Sequence, residues 1–164
     1  MLRVLGIDPG LRITGFAAVD LARGGIEPRL HEGGVIRLDG KASMEDRLEQ
    51  LHRELTLLIE EFKPSQLAVE KLYAHYKHPR TAILMGHARG VILLCARQHR
   101  ITVEHLPSTE VKKAMTGYGH ASKEQMQRAV QAQCQLATLP SPPDLADAIA
   151  IAMTSARRAV FKKA

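Results

Sequence analysis

The hydrophobic pattern gives the first forty residues the character of strands. Residues 2–8 form an apolar run, residues 14–20 form a second one, and a third strand is predicted over 34–38. The first two runs are short and closely spaced, and the turn at 22–25 contains two glycines. This arrangement is typical of an antiparallel meander.

Beyond this meander the apolar positions change to helical spacing. From Met44 to Phe62 they recur every three or four residues, which predicts a helix that Ser43 caps and that ends before Pro64. Further elements follow: a strand at 66–70, a helix at 80–98, a strand at 101–106, a helical segment from 108, a helix from Ser122 to about 136 with a Ser122–Gln125 capping box, and a helix from 142 towards 160. The pattern predicts an α/β fold with a five-stranded mixed sheet, antiparallel in its first three strands and then parallel, and helices on both faces.

Length and cysteine content define the class of protein. A chain of 164 residues is expected to form one domain, residues 1–164. It contains no apolar run of ~18 residues and no signal-peptide pattern at its start, so no membrane association is expected. Only Cys95 and Cys134 occur, without a C-x-x-C spacing, which indicates a reducing, cytoplasmic compartment.

The charge balance favours a polyanionic partner. Lys and Arg total 23 against 17 Asp and Glu, which gives a net charge of +6 and a pI near 9.6. The summed field of a small basic protein attracts nucleic acids, but many basic proteins bind none. The net charge therefore indicates nucleic-acid binding only in combination with a candidate catalytic or binding site.

Two predicted strands end on an acid. Asp8 is followed by Pro-Gly and could start a turn, lie beneath the phosphates of a nucleotide, or bind a metal ion. Glu70 ends a short apolar strand, where a carboxylate is costly unless it is paired or bound to a metal. Its neighbour Lys71 is a candidate partner, so both interpretations remain open.

The segment "PPDLADAIAIA" adds a second pair of acids. Asp144 and Asp147 are three residues apart and project from one face of the last helix. Asp144 would suit the dipole of the first helical turn, but Asp147 lies among small apolar residues that are expected to pack on the sheet. Two carboxylates at this spacing repel each other unless a cation lies between them.

Four carboxylates without a Cys or His cluster are typical of a site for hard cations. Oxygen ligands suit Mg²⁺ or Mn²⁺ better than zinc. Two such ions ~3.5–4 Å apart can activate a water and stabilise the leaving oxygen of a phosphodiester. The basic charge then indicates a nucleic-acid backbone as the substrate.

Two other classes share parts of this pattern. The spacing "GID-x-G-x-x-x-T-G" also opens the phosphate loop of actin-like and sugar-kinase ATPases, but those proteins close two lobes over ATP, and 164 residues supply one. The run "HYKH" at 75–78 resembles half of a zinc site without a second half. The acid pair on the last helix also has no role in ATP binding in such ATPases.

Five motifs in order resemble one family over nearly the whole chain. They are "GIDPGLRITG", "VE" at 69–70, "GHARG" at 86–90, "STEVKKAMTGYGHASKEQM" and "DLADAIAIA". On these motifs the chain resembles the RuvC family of Holliday junction resolvases, which has the RNase H-like fold. The resemblance implies a metal-dependent, structure-selective endonuclease that resolves four-way DNA junctions by paired symmetric nicks during recombination and repair. It also implies a homodimer that works with the RuvA and RuvB branch-migration proteins.

The resemblance also implies roles for individual residues. Two Mg²⁺ or Mn²⁺ ions would be bound by Asp8, Glu70, Asp144 and Asp147, and the family's catalytic basic positions match Lys112 and Lys123. Alternatives are an RNase H-like nuclease acting on RNA or an RNA–DNA hybrid, and a junction-binding protein that does not cut. Cleavage that occurs only on hybrids, or tight binding without cleavage, would identify these alternatives.

The loop after Glu70 is the expected DNA contact. Tyr73 matches the position at which the family has an aromatic residue that stacks on bases, and Tyr76 lies in the same basic loop, "YAHYKHPR". Further expected DNA contacts are Lys77, Arg80, Arg89 and Lys113, although Arg89 could equally serve packing. The chain departs from the family pattern at Lys71, where Gln or Glu is common, and in lacking an Asn in the loop.

Overall fold

The computed structural model describes residues 1–72 and 77–161. Its sheet has the order β3-β2-β1-β4-β5, in which β1 pairs antiparallel with β2 and parallel with β4. β3 pairs antiparallel with β2, and β5 pairs parallel with β4. The strands are β1 Leu2–Asp8, β2 Ile13–Leu21, β3 Arg29–Arg37, β4 Gln66–Glu70 and β5 Thr102–Leu106.

Helices cover both faces of this sheet, as the sequence predicted. They are α1 Met44–Phe62, α2 Pro79–Gln98, α3 Ser108–Thr116, α4 Lys123–Gln133 and α5 Pro143–Phe161. The apolar core has two parts, with α1 and α2 packed on one face and α3, α4 and α5 on the other. Within the described ranges, no helix combines the length and the apolar character that a membrane span requires.

The alternation of side chains along the strands assigns each acid to a face. Leu5 and Ile7 of β1 pack in the core beneath α1 and α2, whereas Val4 packs beneath α5. Since successive side chains of a strand point to opposite faces, Asp8 lies on the α5 face. By the same argument, Ala68 beneath α5 places Glu70 on that face as well.

Glycines allow α5 to rest directly on the sheet backbone. A Cβ atom on Gly15 would lie 2.0 Å from the carbonyl oxygen of Asp144, and one on Gly6 would lie 2.4 Å from that of Ala148. Real Cβ atoms essentially never approach so closely. The first turns of α5 are therefore seated on β1 and β2 at a distance that larger residues would not permit.

Two predicted boundaries are wrong. β3 begins at Arg29 rather than at residue 34, because its first half is a half-exposed edge with too few apolar residues to show a pattern. α4 ends at Gln133 rather than near 136, because Gln135 adopts a left-handed conformation (φ 53°) and Leu136 donates its N–H to the carbonyl of Gln131. This is a Schellman ending without the usual glycine. The other strands and α2 and α5 agree with prediction to about one residue at each end.

Candidate active site

The four acids predicted as metal ligands lie on the α5 face, at the carboxyl ends of the central strands. Ile7 pairs with Val69 in the parallel register of β1 and β4, so Asp8 and Glu70 extend from neighbouring strand ends. Asp8 is also the cross-strand partner of Gly15, against which the backbone of Asp144 packs. Asp147 lies one turn further along α5, so secondary structure rather than a flexible loop positions all four acids.

Asp8 does not cap the turn that follows it. The Thr14 hydroxyl donates to the Gly10 carbonyl at 2.9 Å and accepts from the Gly10 N–H at 3.1 Å. Thr14 is completely buried, so this hydroxyl closes the loop between β1 and β2. Among the described residues, the Asp8 carboxylate accepts no hydrogen bond, which leaves it available to a ligand.

The acids raise one another's proton affinity. The pKa of Asp8 is raised to about 8, chiefly because the carboxylate is buried and then because Asp147, Glu70 and Asp144 are close, while Lys123 opposes the shift. Such mutual repulsion is a cost that a bound cation would remove.

Glu70 and Asp147 show the same effect. Burial raises the pKa of Glu70, Asp147 raises it further, and Lys112 opposes it. Burial also raises the pKa of Asp147, against the opposing effects of Lys123 and Lys112. Within the part of the chain that the structure describes, Lys71 forms no ion pair with Glu70, so the alternative of a simple Glu70–Lys71 pair is not realised.

The donor set fits Mg²⁺ or Mn²⁺. It consists of carboxylate oxygens alone, the ligands that hard cations prefer. Across residues 1–72 and 77–161, no three Asp, Glu, His or Cys side chains converge tightly enough to enclose one ion. Mg²⁺ does not need such a cage, since proteins hold it through one or two carboxylates while water and substrate phosphates complete the octahedron. The acids are therefore suited to cations shared with a phosphodiester.

The helix that carries Lys112, α3, is joined to α5 by an ion pair. Arg158 of α5 pairs with Glu104 of β5 at 3.2 Å and also contacts Glu110 of α3. Because Glu110 precedes Lys112 by two residues, this contact ties the lysine's helix to the helix that carries two of the acids. Lys112 is half-buried and acts electrostatically on Glu70 and Asp147.

Lys123 is held by the start of α4. Ser122 and Gln125 form the predicted capping box, with side-chain to backbone distances of 3.2 and 2.8 Å. The side chain of Gln133 donates to the Met115 carbonyl at 2.7 Å, which joins α4 to α3. Lys123 thereby acts on both Asp8 and Asp147 from the rim of the site.

The expected DNA contacts fall into three groups. Lys77, Arg80 and Lys113 are exposed. Arg89 is half-buried and is engaged by protein atoms, namely the carbonyl of Glu70 and the ring of His105. Tyr73 and Tyr76, together with part of the candidate zinc run at 75–78, lie outside the described residues.

His105 is a residue of the site region that the sequence analysis does not identify. Strand alternation places His105 on the same face of β5 as Val103, which packs beneath α2. Arg89 extends from α2 towards that face, so its contact with His105 depends on how α2 packs on the sheet. Strand alternation combined with a known helix position could have found it.

Cavities lie at both ends of the central strands. A cavity of about 60 Å³ opens beside Asp8 and Glu70, and Met85 and Arg89 also line it. A larger groove of about 610 Å³ lies beside Leu2 and Leu21, at the opposite end of the central strands, and none of the described residues that line it is acidic.

Comparison with known proteins decides the family. The family model described as crossover junction endodeoxyribonuclease RuvC matches residues 4–155. The chain belongs to the RuvC family. It is 46% identical over 150 residues to the RuvC protein of Rhodopirellula baltica, covering 92% of this chain and 83% of that one. It is 41% identical over 150 residues to that of Halothermothrix orenii, covering 92% and 89%.

Solved structures agree with this assignment. A Thermus thermophilus RuvC in complex with a Holliday junction substrate superposes with a TM-score of 0.89 at 31% identity, covering 99% of this chain and 97% of that one. The yeast mitochondrial Holliday junction resolvase Ydc2 shares the fold alone, with a TM-score of 0.66 at 15% identity, covering 99% and 82%. The predicted RNase H-like architecture is confirmed.

Proposed function

We propose that the protein is an endonuclease that resolves four-way DNA junctions by paired symmetric nicks during recombination and repair. The observation that carries the proposal is the set of four carboxylates from both ends of a RuvC-family chain, which lie at the carboxyl ends of the central strands. Burial and the neighbouring carboxylates raise the pKa of three of them, Asp8, Glu70 and Asp147. RuvC-family nucleases are metal-dependent. An RNase H-like activity on RNA or hybrids is not favoured, since the relatives are junction endonucleases by name.

Each part of the site has a role in this chemistry. Asp8, Glu70, Asp144 and Asp147 would hold two Mg²⁺ or Mn²⁺ ions, which would supply activation of a water and a counter-charge for the leaving oxygen. Lys123 or Asp147 would help to activate the attacking water. Lys112 and Lys123 add positive charge where negative charge develops on the phosphate.

The protein surface around the site contacts the junction strands. Lys77, Arg80 and Lys113 are exposed and free to bind phosphates, and the net charge of +6 adds a general attraction. By the family resemblance, Tyr73 and Tyr76 would supply base stacking at the junction. These contacts position the DNA, whereas the acids cut it.

The protein acts as a homodimer formed through α2. Ile83, His87, Gly90 and Leu94 are exposed and recur on one face of this helix. The Ile83 and Leu94 side chains are 63% and 54% exposed, and a Cβ placed on Gly90 would meet no heavy atom of the described residues within 4 Å outside its own stretch of helix. Two copies of this face can approach closely about a two-fold axis, which presents two identical sites to a two-fold junction.

The family resemblance also suggests the partner proteins and the cellular compartment. RuvA and RuvB are the partners that would deliver the junction, and the cytoplasm is the compartment. The free thiols of Cys95 and Cys134 are consistent with a reducing compartment.

Leu94→Glu is expected to convert the dimer into a folded monomer. A carboxylate buried against a second copy of α2 would be unpaired, so the dimer dissociation constant should rise at least ~100-fold. Light scattering coupled to gel filtration measures the change. Ile26→Glu is the matched control, because Ile26 is 77% exposed between β2 and β3, outside α2. An unchanged dimer for Leu94→Glu would place the interface elsewhere.

Glu70→Gln is expected to abolish junction cleavage while leaving junction binding intact. The amide cannot replace a charged metal ligand, so cleavage of a synthetic four-way junction in Mg²⁺ or Mn²⁺ should fall at least ~1,000-fold. Junction affinity in EDTA should change less than about twofold, because phosphate contacts supply it. Glu61→Gln, an exposed position on α1, is the control.

The same assay separates the alternatives. Paired cuts that disappear in EDTA support a resolvase. Cleavage restricted to RNA–DNA hybrids would identify an RNase H-like enzyme, and tight binding without cleavage in either metal would identify a binding module. Retained cleavage by Glu70→Gln would refute the assigned metal site.

A further inference from the structure

The peptide that joins Glu70 to Lys71 is held from both sides. Its N–H, on Lys71, donates to the carbonyl of Leu106 at 2.8 Å, which extends the pairing of β4 with β5. Its carbonyl, on Glu70, accepts from Nε of Arg89 at 3.3 Å. One side chain from α2 therefore completes the restraint on the peptide that directly follows a predicted metal ligand.

His105 provides the second contact of the Arg89 guanidinium. A terminal nitrogen of Arg89 contacts Nδ1 of His105, which lies opposite Val69 in the β4–β5 register. Because a guanidinium only donates, Nδ1 must be the unprotonated nitrogen of a neutral ring. Partial burial and the nearby charges of Arg89 and Lys71 lower the pKa of His105, in agreement with a neutral ring.

Arg89 differs from an arginine that is available to DNA. It is half-buried, and burial lowers its pKa. Among the described residues it forms no ion pair with a carboxylate, so its identified partners are a backbone carbonyl and a neutral imidazole. It also lines the small cavity beside Asp8 and Glu70. Its donors are directed at the frame of the site, not outward from it.

We propose that Arg89 and His105 are positioning residues that fix the Glu70 peptide, and through it the direction of the Glu70 carboxylate towards Asp8 and Asp147. The proposal rests on the proposed function insofar as Glu70 is a metal ligand. It replaces the expected phosphate contact of Arg89 with a role inside the protein. It also assigns a role to His105, which the sequence did not indicate.

Arg89→Met tests the first half of the proposal, because methionine keeps much of the apolar stem and removes every donor. Calorimetric titration with Mn²⁺ in the absence of DNA should show binding weakened about 10–100-fold, the usual effect of removing a group that orients a metal ligand. The single-turnover cleavage rate at saturating junction should fall by a similar factor. Junction affinity in EDTA should stay within about twofold, with an unchanged salt slope.

Arg97→Met is the matched control for this experiment. Arg97 is exposed in the last turn of the same helix, and none of its side-chain atoms contacts Glu70 or His105 in the described structure. Its variant should bind Mn²⁺ and cleave the junction as the unmodified protein does.

A pair of substitutions at His105 tests the second half. His105→Asn places an acceptor oxygen close to the former Nδ1 and should keep Mn²⁺ affinity within about threefold of the original. His105→Lys puts a positive charge against Arg89 and should weaken Mn²⁺ binding about 10-fold or more. Since His105 is exposed on β5 and lies outside the apolar core, both variants should fold.

Three results would overturn the proposal. The first is a weaker junction affinity of Arg89→Met with a salt slope reduced by about one, which would identify a phosphate contact. The second is unchanged Mn²⁺ binding by that variant. The third is an equal loss of Mn²⁺ affinity in His105→Asn and His105→Lys. A failure of the unmodified protein to cut any junction would refute the proposed function instead, while the Mn²⁺ titrations would still test the positioning role.

Discussion

Asp8→Asn is expected to abolish junction cleavage and, in the absence of metal, to make the protein more stable. Cleavage should fall at least ~1,000-fold, because a neutral amide replaces a charged metal ligand. Stability should rise because the pKa of Asp8 is raised to about 8 in the folded protein, against ~3.9 in an unfolded chain. The folded protein binds this proton more tightly, so metal-free stability falls as the pH rises from ~4 to ~8.

The measurement is thermal unfolding in EDTA at pH 6 and pH 8. The unmodified protein should melt at a lower temperature at pH 8, and Asp8→Asn should remove most of that difference and raise Tm at pH 8 by ~3–6 °C. Adding Mn²⁺ should stabilise the unmodified protein and have little effect on the variant, because only a folded site binds the ion. A variant that melts lower than the unmodified protein at pH 8 would contradict the proposed repulsion.

Asp20→Asn is the matched control, with the opposite sign. Asp20 accepts two hydrogen bonds from Arg3, at 2.6 and 2.7 Å, and this pairing lowers its pKa. Its contribution to stability is therefore present above the unfolded pKa and is lost as the pH falls through the folded pKa. Asp20→Asn should lower Tm at pH 8 and leave cleavage unchanged, since Arg3 and Asp20 lie near the opposite end of the β1–β2 pair from Asp8.

Gly15→Ala is expected to disable the site without touching a charged residue. The new methyl group would lie 2.0 Å from the Asp144 carbonyl, so the start of α5 must move away from the sheet. Such overpacking costs ~1–3 kcal/mol of unfolding free energy. Because a displacement of ~1 Å can cost about 100-fold in rate, cleavage should fall by that factor even in the folded fraction.

Denaturant unfolding and single-turnover cleavage test this prediction together. Gly40→Ala is the control, since among the described residues a Cβ on Gly40 approaches only Arg12, at the ordinary contact distance of 3.7 Å. That variant should stay within ~0.5 kcal/mol of the unmodified protein and cleave normally. Full activity of Gly15→Ala would show that the distance between α5 and β2 does not set the position of Asp144.

Local patterns were sufficient to predict which elements carry the four candidate acids. Asp8 and Glu70 follow apolar strands, and parallel neighbours in a mixed sheet bring such ends together. The spacing of Asp144 and Asp147 places both on one helix face, whatever surrounds them. These features depend only on the periods of strands and helices, which the sequence displays directly.

Contacts between distant segments could not be predicted. That Thr14 rather than Asp8 closes the first turn depends on side-chain geometry within a loop. That Arg89 contacts the Glu70 carbonyl and His105 depends on how α2 lies on the sheet, which no spacing within α2 specifies. The third strand was predicted to begin at residue 34, later than its observed start at Arg29. The first half of this edge strand is defined by its pairing with β2 more than by its composition.

The seating of α5 on β1 and β2 also has a consequence for biosynthesis. Strands β1 to β3 are synthesised long before Asp144 and Asp147, so one face of these strands stays uncovered until α5 has been synthesised. Contacts of such wide sequence separation form late and slow the folding of a chain. Before α5 is synthesised, the chain contains only two of the four candidate ligands, Asp8 and Glu70. The four carboxylates can come together only after α5 has packed on the sheet.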